Sequence, residues 1–122
     1  MCTSFGSCGE SPVHDNYKQA NVKAGDTGTW VLNKKTSPCI RALRSQRTAA
    51  IHEAGVMPAD TFVGIQRVYF EGDMEAAPAL AGQSVALINE LTTAQQIIDE
   101  TIAGFFETTA RLSRLAHGFD HG

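Results

Sequence analysis

A few small groups of residues in this chain have the types and spacings that could do chemistry. His117 and His121 stand four apart with Asp120 beside the second, a spacing that can bind a metal on a helix. Arg41, Arg44 and Arg47 recur every three residues behind Lys34 and Lys35, a stripe that could bind phosphate or nucleic acid. His14 and Asp15 offer an imidazole beside a carboxylate, and Cys2, Cys8 and Cys39 offer three thiols. Each group also has a plainer reading. His117 and His121 flank Gly118 in a terminal tail, which favours fraying over ligation. Adjacent residues do not share a helical face, so His14 reads as a solvent-facing helix cap. The arginine stripe carries no interleaved aromatics for base stacking, and the net charge of −3 is acidic, so a solvated or carboxylate-paired face is expected and nucleic acid is not. Three cysteines are odd in number and lack zinc-knuckle spacing, which reads as free thiols in a reducing cytoplasm.

The elements that must position these residues can be read in outline. The 122 residues, 43% of them hydrophobic, allow one domain with one core. There is no apolar run of about 18 residues and no basic-then-apolar start, so neither a membrane span nor a secretory leader is expected. The loop over 6–12 is rich in small turn residues, and a short helix follows from about His14, ending by Gly25. Thr29-Trp30-Val31-Leu32 reads as a short extended segment, with Trp30 as a packing anchor. Ser37 and Pro38 look like the cap and first residue of a helix carrying Ile40, Leu43, Ala50 and Ile51 on one stripe and the arginines on another. Phe62, Ile65, Val68 and Tyr69 fit a further short helix within 59–70, which Gly64 weakens. Thr93-Ala94-Gln95-Gln96 is a capping box opening a last helix. That helix bears Ile97, Ile98, Ile102, Phe105, Phe106, Leu112 and Leu115, and needs a partner surface to cover them.

The chain is organised around the stretch over 70–88. It reads as a Gly72-Asp73 turn feeding a helix that starts close to Ala77, with Pro78 in its first turn, and runs to about Asn89. Ala77, Ala79, Ala81, Gly82 and Ala86 leave room for another backbone or a flat ligand, while Leu80, Leu87 and Ile88 supply an apolar anchor. A glycine inside a helix costs about 1 kcal/mol relative to alanine, so Gly82 should have a packing reason.

The spacing of Gly72, Asp73, Gly82, Gln83, Leu87 and Ile88 resembles the C-terminal signature of the FMN-dependent nitronate monooxygenases, formerly 2-nitropropane dioxygenases, whose relatives include flavin-dependent enoyl reductases. Met1, Thr3 and Phe5 are similar to that family's M-G-T-R-F motif, with Cys2 in place of glycine and Ser4 in place of arginine. Glu10-Ser11-Pro12, the stretch from His14 to Ala20, and Ile40-Arg41-Ala42-Leu43-Arg44 match further family segments in the same order. The resemblance implies a mainly α chain: the C-terminal helical part of a flavin-binding (β/α)8 barrel enzyme, with the barrel mostly absent and seven βα units and the catalytic histidine lying upstream of Met1. It divides the chain into residues 1–12, a remnant of the last barrel strand and its phosphate loop; 13–116, a helical region with an extended segment near 27–35; and 117–122, a tail. It places Thr3 near the FMN phosphate, and Gly82 and Gln83 near the flavin or substrate, with Gln83 as a hydrogen-bond donor. The reading in which Gly82 only permits helix–helix contact stays open beside it. It assigns no catalytic residue and no metal. Its implied activity is oxidation of alkyl nitronates to a carbonyl compound and nitrite, with this chain inactive alone. The alternative is a small helical interaction or oligomerisation module. The expected partners are a second copy or the missing barrel portion.

Overall fold

The structure, a computed structural model, describes residues 2–120. Met1 of the N-terminal motif and His121 of the histidine pair lie outside the described residues. In order, the elements are α1 (Cys2–Gly6), α2 (Asp15–Lys23), β1 (Thr29–Leu32), β2 (Ile40–Leu43), α3 (Gln46–Ala54), a π-helical turn (Arg67–Glu71), a 3-10 turn (Gln83–Leu87) and α4 (Ala94–Asp120). About half of the chain is helical, and the two strands form an antiparallel pair with Thr29 opposite Leu43 and Leu32 opposite Ile40. Among the described residues no helix is long and apolar enough to cross a membrane.

Several local signals hold. His14 caps α2, its Nδ1 accepting from the Asn16 N–H at 3.1 Å. The extended segment at Trp30 is β1, and Trp30 is an anchor: its ring stacks on His52 at 4.3 Å, Arg44 lies over it, and its Nε1 donates to Thr48 Oγ1 at 3.0 Å. The capping box closes as read, with Thr93 N–H donating to Gln96 Oε1 at 2.9 Å and Gln96 N–H to Thr93 Oγ1 at 3.1 Å. All three cysteines are free, Cys8 buried and the other two exposed.

Several expected elements differ. The helix expected from Ser37 is absent: 40–43 is a strand, and the helix begins only at Gln46, capped by Ser45 in a reciprocal box with Thr48. The reason lies in the turn before it. Asn33 adopts φ 65°, which asparagine tolerates, and its side chain accepts from Met57 N–H at 3.1 Å and donates to Pro38 O at 2.9 Å. That folds the chain back so that Ile40 to Leu43 can satisfy β1. The arginine stripe consequently dissolves, with Arg41 on β2, Arg44 beyond it and Arg47 in α3. The expected helix within 59–70 is replaced by turns and the π-helical turn, because Gly64 packs directly against the Ala76 backbone. At the other end, α4 continues through Asp120, so residues 117–120, read as a tail, are helical.

The helix expected over 77–89 is also overturned, and here the difference matters most. Residues 77–82 are extended. Ala77, Pro78, Ala79 and Ala81 are buried while Leu80 is 40% exposed, so burial alternates only over 79–81. Leu43 N–H donates to Ala79 O at 2.8 Å, so this segment lies along β2 as a third, irregular strand. Two tyrosines clasp its backbone: Tyr17 donates to Leu80 O at 2.8 Å, and Tyr69 accepts from Leu80 N–H at 2.9 Å. Burial pushes both phenols up from their ordinary pKa, which keeps them protonated around this strand. The larger core forms here, with Tyr17, Leu43, Val68 and Val85 packed on the three alanines, and a second core of Leu32, Ala42 and Ile51 lies under the hairpin.

The stretch over 70–88 therefore organises the fold through its backbone. Gly72 O accepts from Asn16 at the start of α2, and Glu75 accepts from the Arg47 N–H at 2.9 Å at the start of α3, where a carboxylate suits the helix dipole. Gly82 N–H reaches back to α1.

Candidate functional site

The Gly82 N–H donates to Thr3 Oγ1 at 3.0 Å, joining residues 79 apart in sequence. Thr3 is presented by α1, a single helical turn in the place where the resemblance implies the end of a barrel strand. Gly82 sits where the extended segment gives way to the 3-10 turn. Around this bond lies an open cleft of about 260 Å³ lined by Cys2, Thr3, Tyr17, Arg41, Leu80, Ala81 and Gly82. Arg41 enters it from β2, its guanidinium donating to Thr29 Oγ1 at 3.1 Å, a diagonal neighbour across the strand pair. Among the described residues Arg41 has no carboxylate partner. With its oxygen accepting from Gly82, the Thr3 hydroxyl keeps its own hydrogen for another acceptor.

The structure thus brings two of the three expected cofactor-binding residues together and leaves the third aside. Gln83 opens the 3-10 turn with an exposed side chain and does not line the cleft. Arg41 is the further member, which the sequence reading names only within a phosphate- or nucleic-acid-binding stripe and sets aside as a solvated face. The helical stripe gives it a different place; Ile40 to Leu43 show no alternation in burial, and only their pairing with β1 sets Arg41 at the cleft. His14, as a cap on α2, is not part of the cleft.

A larger cleft of about 490 Å³ runs between α1, the 3-10 turn and the first turns of α4. Its charged lining consists of Glu90 and Glu100 beside hydroxyls of Ser4, Ser7, Thr92 and Thr101, which would repel a phosphate. The two clefts have opposite electrostatics, and an anion fits only the smaller.

The loop after α1 is tied to the start of α4. Gly9 N–H donates to Thr92 O at 2.8 Å, and Glu10 Oε2 accepts from the Ala94 N–H at 2.7 Å. That hydrogen bond from the helix terminus holds the Glu10 carboxyl below its usual value of 4.5. A depressed carboxylate stabilises the fold above its unfolded value, and the contribution is lost as pH falls through the folded value. Protection of amides 94–97 against hydrogen exchange, corrected for intrinsic rates, is therefore expected to drop as the solution is taken below about pH 4.5. Glu10→Gln should show the reduced protection already at neutral pH and lose the acid dependence. An unchanged profile in that variant would remove Glu10 as the tie.

Among solved structures, FabK from Thermotoga maritima shares 32% sequence identity and superimposes with a TM-score of 0.80 over 91% of this chain and 37% of its own. A mutant of the same protein gives 0.77 at 32% identity, over 91% of this chain and 35% of its own. Over the matched residues this chain has the fold of a segment of FabK. It spans a little over a third of the length of those structures. The matched share exceeds everything ahead of α4, so the likeness reaches into that helix. No family model and no curated protein matches the chain.

Proposed function

We propose that this chain forms part of an FMN-dependent oxidoreductase of the nitronate monooxygenase and enoyl reductase kind, and that its share of the site is the Thr3–Gly82–Arg41 cleft, which takes the phosphate end of FMN. The observation that carries this is the Thr3–Gly82 hydrogen bond: it unites two separate motif positions in one cleft, beside the Arg41 guanidinium, which bonds Thr29 Oγ1 and has no carboxylate partner among the described residues. The likeness to FabK, an FMN-dependent oxidoreductase, supports the coarse class. The finer reading, alkyl nitronate as substrate, rests on the resemblance of the Gly72-Asp73 and Gly82-Gln83 signature.

The residues fit the phosphate and not the whole cofactor. A guanidinium and a hydroxyl supply charge-assisted and neutral donors to phosphate oxygens. The cleft of about 260 Å³ is smaller than sites that enclose drug-sized ligands, typically about 300–1,000 Å³, and it is open on one side. When bound, FMN would supply the redox chemistry, with dioxygen as the oxidant and the source of the carbonyl oxygen, for oxidation of the nitronate to a carbonyl compound and nitrite. The part of this chain is to bind and orient the phosphate end. The surfaces that would shield the isoalloxazine and remove a proton belong to the remainder of such an enzyme. Alone, the chain is expected to hold FMN weakly and to leave nitronates unoxidised.

The test is a fluorescence titration of the chain with FMN and with riboflavin, which lacks the phosphate. FMN should bind about tenfold or more tightly than riboflavin, and Arg41→Ala should erase the difference, since a hydrogen bond to a charged group contributes about 1.5–3 kcal/mol. Equal affinity for the two flavins in the unaltered chain would overturn the assignment.

A further inference from the structure

α1 is a single turn, Cys2–Gly6, and a helix that short does not support itself, since a first turn fixes several residues for one hydrogen bond. Neither hydrophobic core includes any of its residues. Its side-chain hydrogen bonds to the body come from Thr3 and, just past its end, from Ser7. Thr3 Oγ1 accepts from Gly82, and Ser7, which is 2% exposed, closes the turn by donating its N–H to Thr3 O at 3.0 Å. Behind Ser7 stands Asn21 of α2, fully buried, whose Nδ2 donates to Ser7 Oγ at 2.7 Å. Among the described residues the Asn21 Oδ1 has no partner. An acceptor orphaned in the interior is destabilising, so stability alone does not account for an asparagine here. Tyr17, one turn earlier on the same face of α2, lines the small cleft and donates to Leu80 O. One helix thus fixes a wall of the cleft and, through Ser7, the turn that brings Thr3 into it.

We propose that Asn21 is a positioning residue for this cleft: by holding Ser7 it keeps the α1 turn where the Thr3 hydroxyl meets the Gly82 amide. Asn21 does not itself line the cleft, so its effect reaches a ligand only through Thr3. The bearing of Asn21 on FMN rests on the phosphate reading above, whereas its hold on Thr3 does not. Without the Asn21–Ser7 bond the turn keeps its backbone closure but loses its tie to α2, and the hydroxyl is free to leave the Gly82 N–H. A donor to a phosphate oxygen that must first be brought into place binds more weakly than one already there.

Hydrogen exchange of the full chain tests this, with two amides followed in one sample: Gly82 N–H, bonded to Thr3 Oγ1, and Leu43 N–H, bonded to Ala79 O. Asn21→Ala and Ser7→Ala should each speed exchange at Gly82 about tenfold relative to Leu43. The double variant should add little to either, because both changes remove the same bond. A general loss of stability would instead speed both amides together and leave their ratio as it was. In both variants the FMN-to-riboflavin affinity ratio should fall about threefold or more while riboflavin affinity holds. Ser7→Ala, the milder change, decides should Asn21→Ala not fold. An unchanged Gly82-to-Leu43 ratio in Ser7→Ala overturns the proposal, as does an undiminished preference for FMN in the folded variants. Equal affinity for the two flavins in the unaltered chain removes the phosphate reading, and the amide ratio then decides whether Asn21 holds Thr3.

Discussion

Thr48→Val is expected to lower stability by about 2–4 kcal/mol, a large share of what a domain of this size possesses. The side chain is fully buried, and valine reproduces its shape without its hydroxyl. That hydroxyl is a hub: it accepts from Trp30 Nε1 at 3.0 Å and from the Ser45 N–H at 2.8 Å, and donates to Leu43 O at 3.0 Å. Removing it strands donors from β1 and the start of α3 together with an acceptor at the end of β2. Losing a partner costs each such group about 1–3 kcal/mol where water cannot replace it. Thr48→Ser keeps the oxygen and should cost about 1 kcal/mol through the lost methyl. Urea unfolding followed by Trp30 fluorescence would separate the two variants by their midpoints. A valine variant within about 0.5 kcal/mol of the unaltered chain would show that the hub contributes nothing net.

The two signature glycines should respond in opposite ways to alanine. Gly72 has φ 81°, and a Cβ there would lie 2.5 Å from His14 Nδ1 and 2.7 Å from Asn16 Nδ2. Those side chains hold the start of α2, so Gly72→Ala combines left-handed strain of about 1–2 kcal/mol with a weakened cap of about 1 kcal/mol. Gly82 has φ −77°, and a Cβ there would meet nothing nearer than 3.6 Å. Gly82→Ala should therefore leave stability within about 0.5 kcal/mol. Thermal unfolding of the pair checks the first half of this statement. The second half concerns ligand: because the chain itself has room for a methyl at residue 82, any loss of FMN affinity in Gly82→Ala must come from the cofactor's side of the contact. An equal melting temperature for both variants would refute the contrast.

What could be read from the sequence was what local chemistry decides. The His14 cap, the Trp30 strand and the Thr93 capping box are each set by residues within a few positions of one another, and each stands in the structure. The exposed apolar face of α4 was equally legible, because a helix that long and that amphipathic announces its need for a partner. Partner strands decided the errors. Ala77, Ala79 and Ala81 are good helix formers, yet they lie extended because Leu43 N–H and the two tyrosine hydroxyls pair with that backbone. Ile40 to Leu43 followed the same logic from the other side of the hairpin. For the site, the resemblance names Thr3 and Gly82 but sets them at different ends of the cofactor, and nothing local connects them; their meeting is visible only in the fold. Arg41 was hidden by the same strand that was mistaken for a helix.

The ties between residues 3 and 82, and between 10 and 94, also impose an order of events during synthesis. The first cannot form until about two thirds of these residues have been made and the second until about three quarters have, so α1 must wait, undocked, for most of the body to appear. Once residue 94 is available the loop can close, whereas the remainder of α4, which extends to Asp120, takes about one to five further seconds to be made at roughly 5–20 residues per second. Domains of mixed topology close in about milliseconds to seconds. The exposed apolar face of α4 thus follows a body that has already had time to fold.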